Sequence, residues 1–209
     1  MITISTKQAT PLLVKVLRAG LVPMLIGSPG VGKSALIYAI AKEKNLKVID
    51  LRLSQMDPTS LDGLPYFNAD HTKSDFIPPA YFPLENDQVP EGYKGWLIFF
   101  DELSSAPPSV QAASYKIILD RMVGQHKMHK KVAMVAAGNK STDKAITHRM
   151  STALQARMIH FELEIDHQAW IAWAGKAKID YRIMAYIGFK PSALFQFKPD
   201  HNDATFACP

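Results

Sequence analysis

The chain has 209 residues, 47% of them hydrophobic, with 24 Lys and Arg against 19 Asp and Glu for a formal net charge of +5. That is enough for one good core and a small appended domain. No run reaches the roughly 18 uncharged apolar residues of a membrane span, Met1 to Lys7 lacks a leader pattern, and the single Cys208 excludes an intrachain disulfide framework, so a reducing cytoplasm is the expected setting.

In chain order, Thr10 is the expected cap of a first helix, with Pro11 in its first turn and Gly20 at its end. Leu21 to Ile26 then reads as a buried strand. Gly27-Ser28-Pro29-Gly30-Val31-Gly32-Lys33-Ser34 follows and fits G-x-x-x-x-G-K-[ST]. Beyond it, Ala35 to Lys42 is a strong helix former closed by Asn45. A strand, a glycine turn and a helix N-terminus together make a phosphate cradle, in which curled backbone N–H groups face phosphate oxygens. Residues Gly27 to Ala35 are therefore the expected binders of ATP or ADP. Lys33 faces the terminal phosphates, and the Ser34 hydroxyl ligates Mg²⁺.

Lys47 to Leu53 reads as the next strand. From Ser54 to Gly95 the chain is rich in Pro, Gly, Asp and Asn, yet its aromatics (Tyr66, Phe67, Phe76, Tyr81, Phe82, Tyr93) point to an ordered insert. Trp96 to Phe100 is a strand too apolar for a sheet edge, and it ends in Asp101-Glu102. Asp101 is placed to hold Mg²⁺ and Glu102 to polarise an attacking water. Pro107 to Arg121 reads as an amphipathic helix and Met122 to Lys131 as a turn or hairpin. His126 and His129 within it are expected as exposed loop histidines. Val132 to Ala137 is another strand, followed by Gly138-Asn139, where the amide can orient water or touch the γ-phosphate. Read alone, Gly138-Asn139 is a plain turn.

Ser141 to Thr147 reads as a loop, Ser151 to Arg157 as a short helix and Ile159 to Leu163 as the fifth strand, with His160 on its face. Beyond Glu164 the pattern is helical. Asp166 caps a segment with Trp170 and Trp173, which are expected in the core of a small lid; Asp180 to Ile187 is a second helix and Pro191 to Phe195 begins a third.

Taken together, Gly27 to Ser34, Asp101-Glu102 and Asn139 resemble the Walker A, Walker B and sensor 1 elements of AAA+ ATPases. Asp101 to Ala113 is similar to the D-E-I-N-R-A-P-P-x-V-Q stretch of the MoxR branch, with Ser104-Ser105 in place of Asn-Arg, and Leu53 to Gly63 resembles the segment after that branch's second strand. The resemblance implies an α/β fold of the P-loop NTPase type: a three-layer α-β-α arrangement around a parallel five-stranded sheet. Residues 1–164 would form the nucleotide-binding domain, with an insert at about 54–95 whose hairpin projects into a ring pore. Residues 165–209 would form a small C-terminal helical lid, incomplete because the chain stops at Pro209, soon after Ala204-Thr205-Phe206, before any sensor 2 arginine.

Met150 to Met158 resembles the A-L-x-x-R-F ending of AAA+ helices, which makes Arg157 the candidate trans-acting arginine and Arg149 the reserve. The implied partners are further copies of this chain in a hexameric ring and a protein client, with a von Willebrand factor A-type partner as one possibility and no membrane. The implied activity is chaperone-like remodelling or maturation of that client. A DNA-directed motor or loader is the competing class, suggested by the net charge, although the lysines are scattered apart from His126 to Lys131. A nucleotide-gated binding module that barely hydrolyses is the third.

Overall fold

The structure, a computed structural model, describes residues 1–143, 147–198 and 207–209. In chain order, β1 (Ile2–Ser5) leads into α1 (Thr6–Arg18), and β2 (Val22–Ile26) leads through the glycine loop into α2 (Lys33–Glu43). Then come β3 (Leu46–Arg52), α3 (Thr59–Asp62) and the hairpin β4 (Leu64–Phe67) and β5 (Ser74–Ile77). Next are β6 (Gly95–Asp101), α4 (Pro108–Asp120), the short hairpin β7 (Met122–Val123) and β8 (His126–Lys127), and β9 (Val132–Gly138). The last elements are α5 (Thr152–Gln155), β10 (Met158–Glu164), α6 (His167–Lys176) and α7 (Tyr181–Phe189).

Six strands form one parallel sheet in the order β1-β10-β2-β9-β6-β3. β6 is an unbroken apolar run because both its faces are covered. Leu97 and Phe99 pack with α1 and α2 through Leu13, Ile37 and Ile40, while Ile98 and Phe100 pack with α4 through Val110 and Ile117. Phe99 and Phe100 are fully buried, and side chains of this class each contribute about 3 to 5 kcal/mol relative to alanine.

The sixth strand is an addition to the expected five. Ile2–Ser5 is too short to show a period, and it is specified by pairing with Phe161 to Glu164. It also displaces the first helix cap from Thr10 to Ser5. The Ser5 hydroxyl accepts from Gln8 N and the Gln8 side chain accepts from Ser5 N, a reciprocal closure that Thr10 cannot make from inside the helix. Pro11 thus lies within α1 rather than in its first turn.

β3 is the other edge. Its outer side pairs with no strand among the described residues, and Lys47, Asp50 and Arg52 are exposed along it. A cleft of about 930 Å³ separates this edge from Ala80–Pro83.

Three local expectations are corrected. His129 is buried rather than exposed, because its ring stands edge-on to Trp96 at 5.0 Å and its Nδ1 accepts from Lys131 N. Trp173 is 56% exposed; Ala174, Ile187 and Leu194 are the buried side chains of α6, α7 and the residues after them. Pro191–Ala193 is a single 3-10 turn and not the start of a longer helix. Within the 141–147 loop, residues 144–146 lie outside the described residues, as do Ala204, Thr205 and Phe206.

Candidate functional site

The parallel sheet brings the C-terminal ends of β2, β6 and β9 together, where ligands gather in α/β folds. At β2 the chain turns through Gly27 to Gly32 into α2. Gly30 (φ 77°) and Gly32 (φ 90°) occupy the left-handed region that favours glycine. Gly27 is needed for a different reason: a Cβ there would stand 3.0 Å from Val31 Cγ1 and 3.3 Å from the Leu163 carbonyl. Val31 is buried beneath the loop, while Gly30 and Ala35 stay exposed, leaving the upper rim open.

Lys33, the first residue of α2, is 9% exposed. Its Nζ donates to Gly27 O at 2.7 Å, Ser28 O at 3.1 Å and Asn139 Oδ1 at 3.2 Å. Burial lowers its pKa from 10.5 to about 8, against the opposing pull of Asp101, Asp143 and Glu102. An ammonium held by the loop's own carbonyls is poised to exchange them for phosphate oxygens. The bond to Asn139 Oδ1 also fixes that amide, turning its NH₂ away from Lys33.

Ser34 Oγ donates to Asp101 Oδ2 at 3.1 Å, so the two oxygens expected on Mg²⁺ are neighbours. Burial raises the Asp101 pKa, partly offset by bonds from Glu102 N at 2.8 Å and from Ser34. Among the described residues no three His, Cys, Asp or Glu side chains cluster as a metal cage. One hydroxyl and one carboxylate are what a hard cation needs when phosphates and water fill the other positions. The donor set therefore fits Mg²⁺ with a triphosphate.

Glu102 follows β6 with a left-handed backbone (φ 57°, ψ 29°), a conformation that costs a non-glycine residue about 1 to 2 kcal/mol. Its Oε2 accepts a hydrogen bond from Ser54 Oγ. The register explains the meeting: Arg52 pairs with Asp101, so the residues just beyond each strand end lie side by side.

Ser104 Oγ accepts from Asn139 N at 2.9 Å and donates to Asn139 O at 3.3 Å. Gly138 makes room for it, since a Cβ there would fall 2.6 Å from Ser104 Oγ and 2.8 Å from Met24 Cε.

Lys33, Ser34, Asp101, Glu102 and Asn139 are thus brought together. Arg157 is not among them. It lies exposed after α5, and neither it nor Arg149 makes a side-chain hydrogen bond or ion pair among the described residues.

Ser54, Ser104 and Asp143 escaped the sequence reading. The first two announce themselves only as hydroxyls just past strand ends. Asp143 is 9% exposed, acts on Lys33, and has an Oδ2 without a hydrogen-bond partner among the described residues.

Comparisons with known proteins agree with this fold. The profile of the "ATPase family associated with various cellular activities (AAA)" matches residues 23–159, which run from β2 into β10. No curated protein matches the chain significantly. A crystal structure described as that of a "putative ATPase" from Cytophaga hutchinsonii is similar in fold. Its TM-score is 0.58 at 17% sequence identity, over 83% of this chain and 50% of that one. The chain thus spans about half the length of that protein.

Proposed function

The chain belongs to the AAA family of ATPases, and on that premise we propose that it binds Mg·ATP at the β2–α2 loop and hydrolyses it. The observation that carries this is the meeting of Lys33, Ser34, Asp101, Glu102 and Asn139 at three adjacent strand ends. When bound, the metal neutralises charge on the β- and γ-phosphates; Ser34 and Asp101 would hold it. Lys33 binds the phosphate oxygens. Glu102 takes the proton of the attacking water, and Asn139 holds that water or the γ-phosphate in line. The test is magnesium-dependent phosphate release from ATP by the purified chain. No release at concentrations where ATP binds would leave only a nucleotide-gated binding module.

Two further results are expected at this site. ATP affinity falls as pH rises through about 8, because the free protein's Lys33 gives up its proton there while phosphates hold the proton on in the complex. Titrations between pH 7 and 9 check this, with a loss of roughly tenfold per pH unit above the transition; a flat profile would show that Lys33 stays charged throughout. Ser54→Ala frees Glu102 Oε2 and is expected to raise basal turnover about threefold to tenfold, the net effect of one ordinary hydrogen bond of about 1 kcal/mol. A fall in turnover would mean that Ser54 aims Glu102 rather than restrains it.

We further propose a MoxR-type role: a ring, expected as a hexamer, remodelling or maturing a protein client, with residues 165–209 as the lid. The β4–β5 hairpin supports the client reading, since Leu64, Phe67 and Ile77 are more than half exposed and its tip is polar. Deleting Asn68 to Lys73 should leave ATP binding unchanged and abolish the effect on a client recovered with a hydrolysis-dead protein. Unfolding of the deletion variant, seen by circular dichroism, would make the hairpin structural.

A further inference from the structure

At the end of the sheet away from the phosphate loop, β2 and β9 run side by side without yet pairing. Their register begins at Met24 with Ala136, although the strands start at Val22 and Val132. Pro23, with no N–H, has nothing to donate to a ladder. In this splay lies a pocket of about 220 Å³, with an apolar floor that includes Leu17, Val22 and Met134.

Three cations line the pocket and no acidic side chain does: Arg18, Arg121 and Lys130. They come from separate elements. Arg18 ends α1 on one face of the sheet, Arg121 follows α4 on the other, and Lys130 stands in the loop before β9. Among the described residues none has an ion-pair partner.

Helix capping does not account for them. The last carbonyls of α1 already accept from the backbone N–H groups of Ala19, Gly20 and Leu21, and Ile117 O of α4 accepts from Arg121 N. The half-buried Arg121 guanidinium donates to Val132 O, its one side-chain hydrogen bond among the described residues, and burial works against its charge. A guanidinium carries five N–H donors, and among the described residues none of the Arg121 nitrogens is buried without a partner, so the donors not used on Val132 O are open to solvent and to a bound anion.

We propose that this pocket is a second anion site, taking a small multivalent oxyanion of the phosphate class, such as phosphate or pyrophosphate. Three cations lining one pocket suit an anion with several charges and several acceptor oxygens better than a single carboxylate. The volume lies below the roughly 300 to 1,000 Å³ of pockets that enclose whole cofactors, which favours a phosphate or diphosphate over a nucleotide. Met134, the last lining residue on β9, stands five residues before Asn139, about 16 Å at ~3.3 Å per residue, so the pocket is distinct from the phosphate loop.

The test uses the full chain carrying Lys33→Ala, which weakens the phosphate loop as a competing site. Calorimetric titration with pyrophosphate and with inorganic phosphate should show saturable binding. Arg121→Gln, or the pair Arg18→Gln and Lys130→Gln, should weaken pyrophosphate binding about tenfold or more. The pair keeps the test decisive if loss of the Val132 contact unfolds the Arg121 variant. Unchanged affinity in the pair variant, or no saturable binding in the parent, overturns the proposal. So does an equal response to sodium chloride at matched ionic strength, which is screening. Equal affinity for citrate or for a dithymidylate diester would overturn the assignment to a small phosphate-class anion.

Discussion

Glu102→Gln is expected to lower ATP turnover by about 10² to 10⁴-fold while ATP affinity stays within about twofold. The amide has the size of the carboxylate and can still accept from Ser54 Oγ, so the left-handed turn at Glu102 keeps its geometry. What disappears is basicity: a neutral amide does not take a proton from water. Asp101 cannot substitute, because its carboxylate is engaged by Ser34 and by Glu102 N and is the expected metal ligand. The measurement pairs fluorescent-nucleotide binding with single-turnover phosphate release. Release at the wild-type rate would remove Glu102 from the reaction.

Arg157→Ala is expected to lower turnover by about 10³-fold, with ATP affinity of the single chain unchanged. Among the described residues Lys33 is the cation that touches the cradle, and Lys140, the nearby alternative, is engaged by Glu162 at 2.5 Å. Among the described residues no further cation stands free beside the cradle, so the expectation is that a neighbouring copy supplies one for the charge developing on the γ-phosphate. Arg157 is exposed and unpaired among the described residues, as an arginine offered to a neighbouring copy would be. Mixing the inactive Arg157→Ala and Lys33→Ala chains, under conditions where rings exchange subunits, should restore part of the activity. Some interfaces would then join an intact phosphate loop to an intact arginine. Full activity of Arg157→Ala alone, at concentrations that support assembly, would end the shared-site reading for this residue, and Arg149→Ala would be measured next.

The phosphate loop was legible because everything it needs is local: an apolar strand before it, glycines where φ is positive, and a helix after it. Asp101 and Glu102 were legible for the same reason, as polar residues ending a run too apolar to lie anywhere but mid-sheet. Ser54 and Ser104 were not. Each acts through a contact across 48 and 35 residues of chain respectively, and a serine after a strand carries no mark of the neighbour that the register will bring it. β1 was missed because four residues cannot display a period, and its strand character comes from β10. His129 was misplaced because a run of Lys and His reads as solvated, whereas the indole of Trp96 makes a dry seat for one imidazole. Trp173 erred the other way: aromatic spacing suggested a core, but the buried side of α6 is defined by Ala174.

The open side of β3 bears on how the protein behaves at high concentration. A strand edge with free N–H and C=O groups is a template on which a second molecule can polymerise. Here Lys47, Asp50 and Arg52 stand along it, so an approaching apolar strand would have to strip water from charges of both signs before its first backbone bond formed. Colloidal stability thus leans on a few side chains along one edge, and neutralising Lys47, which stands opposite Trp96 at the end of β3 away from Asp101, would be felt as precipitation before any loss of catalysis.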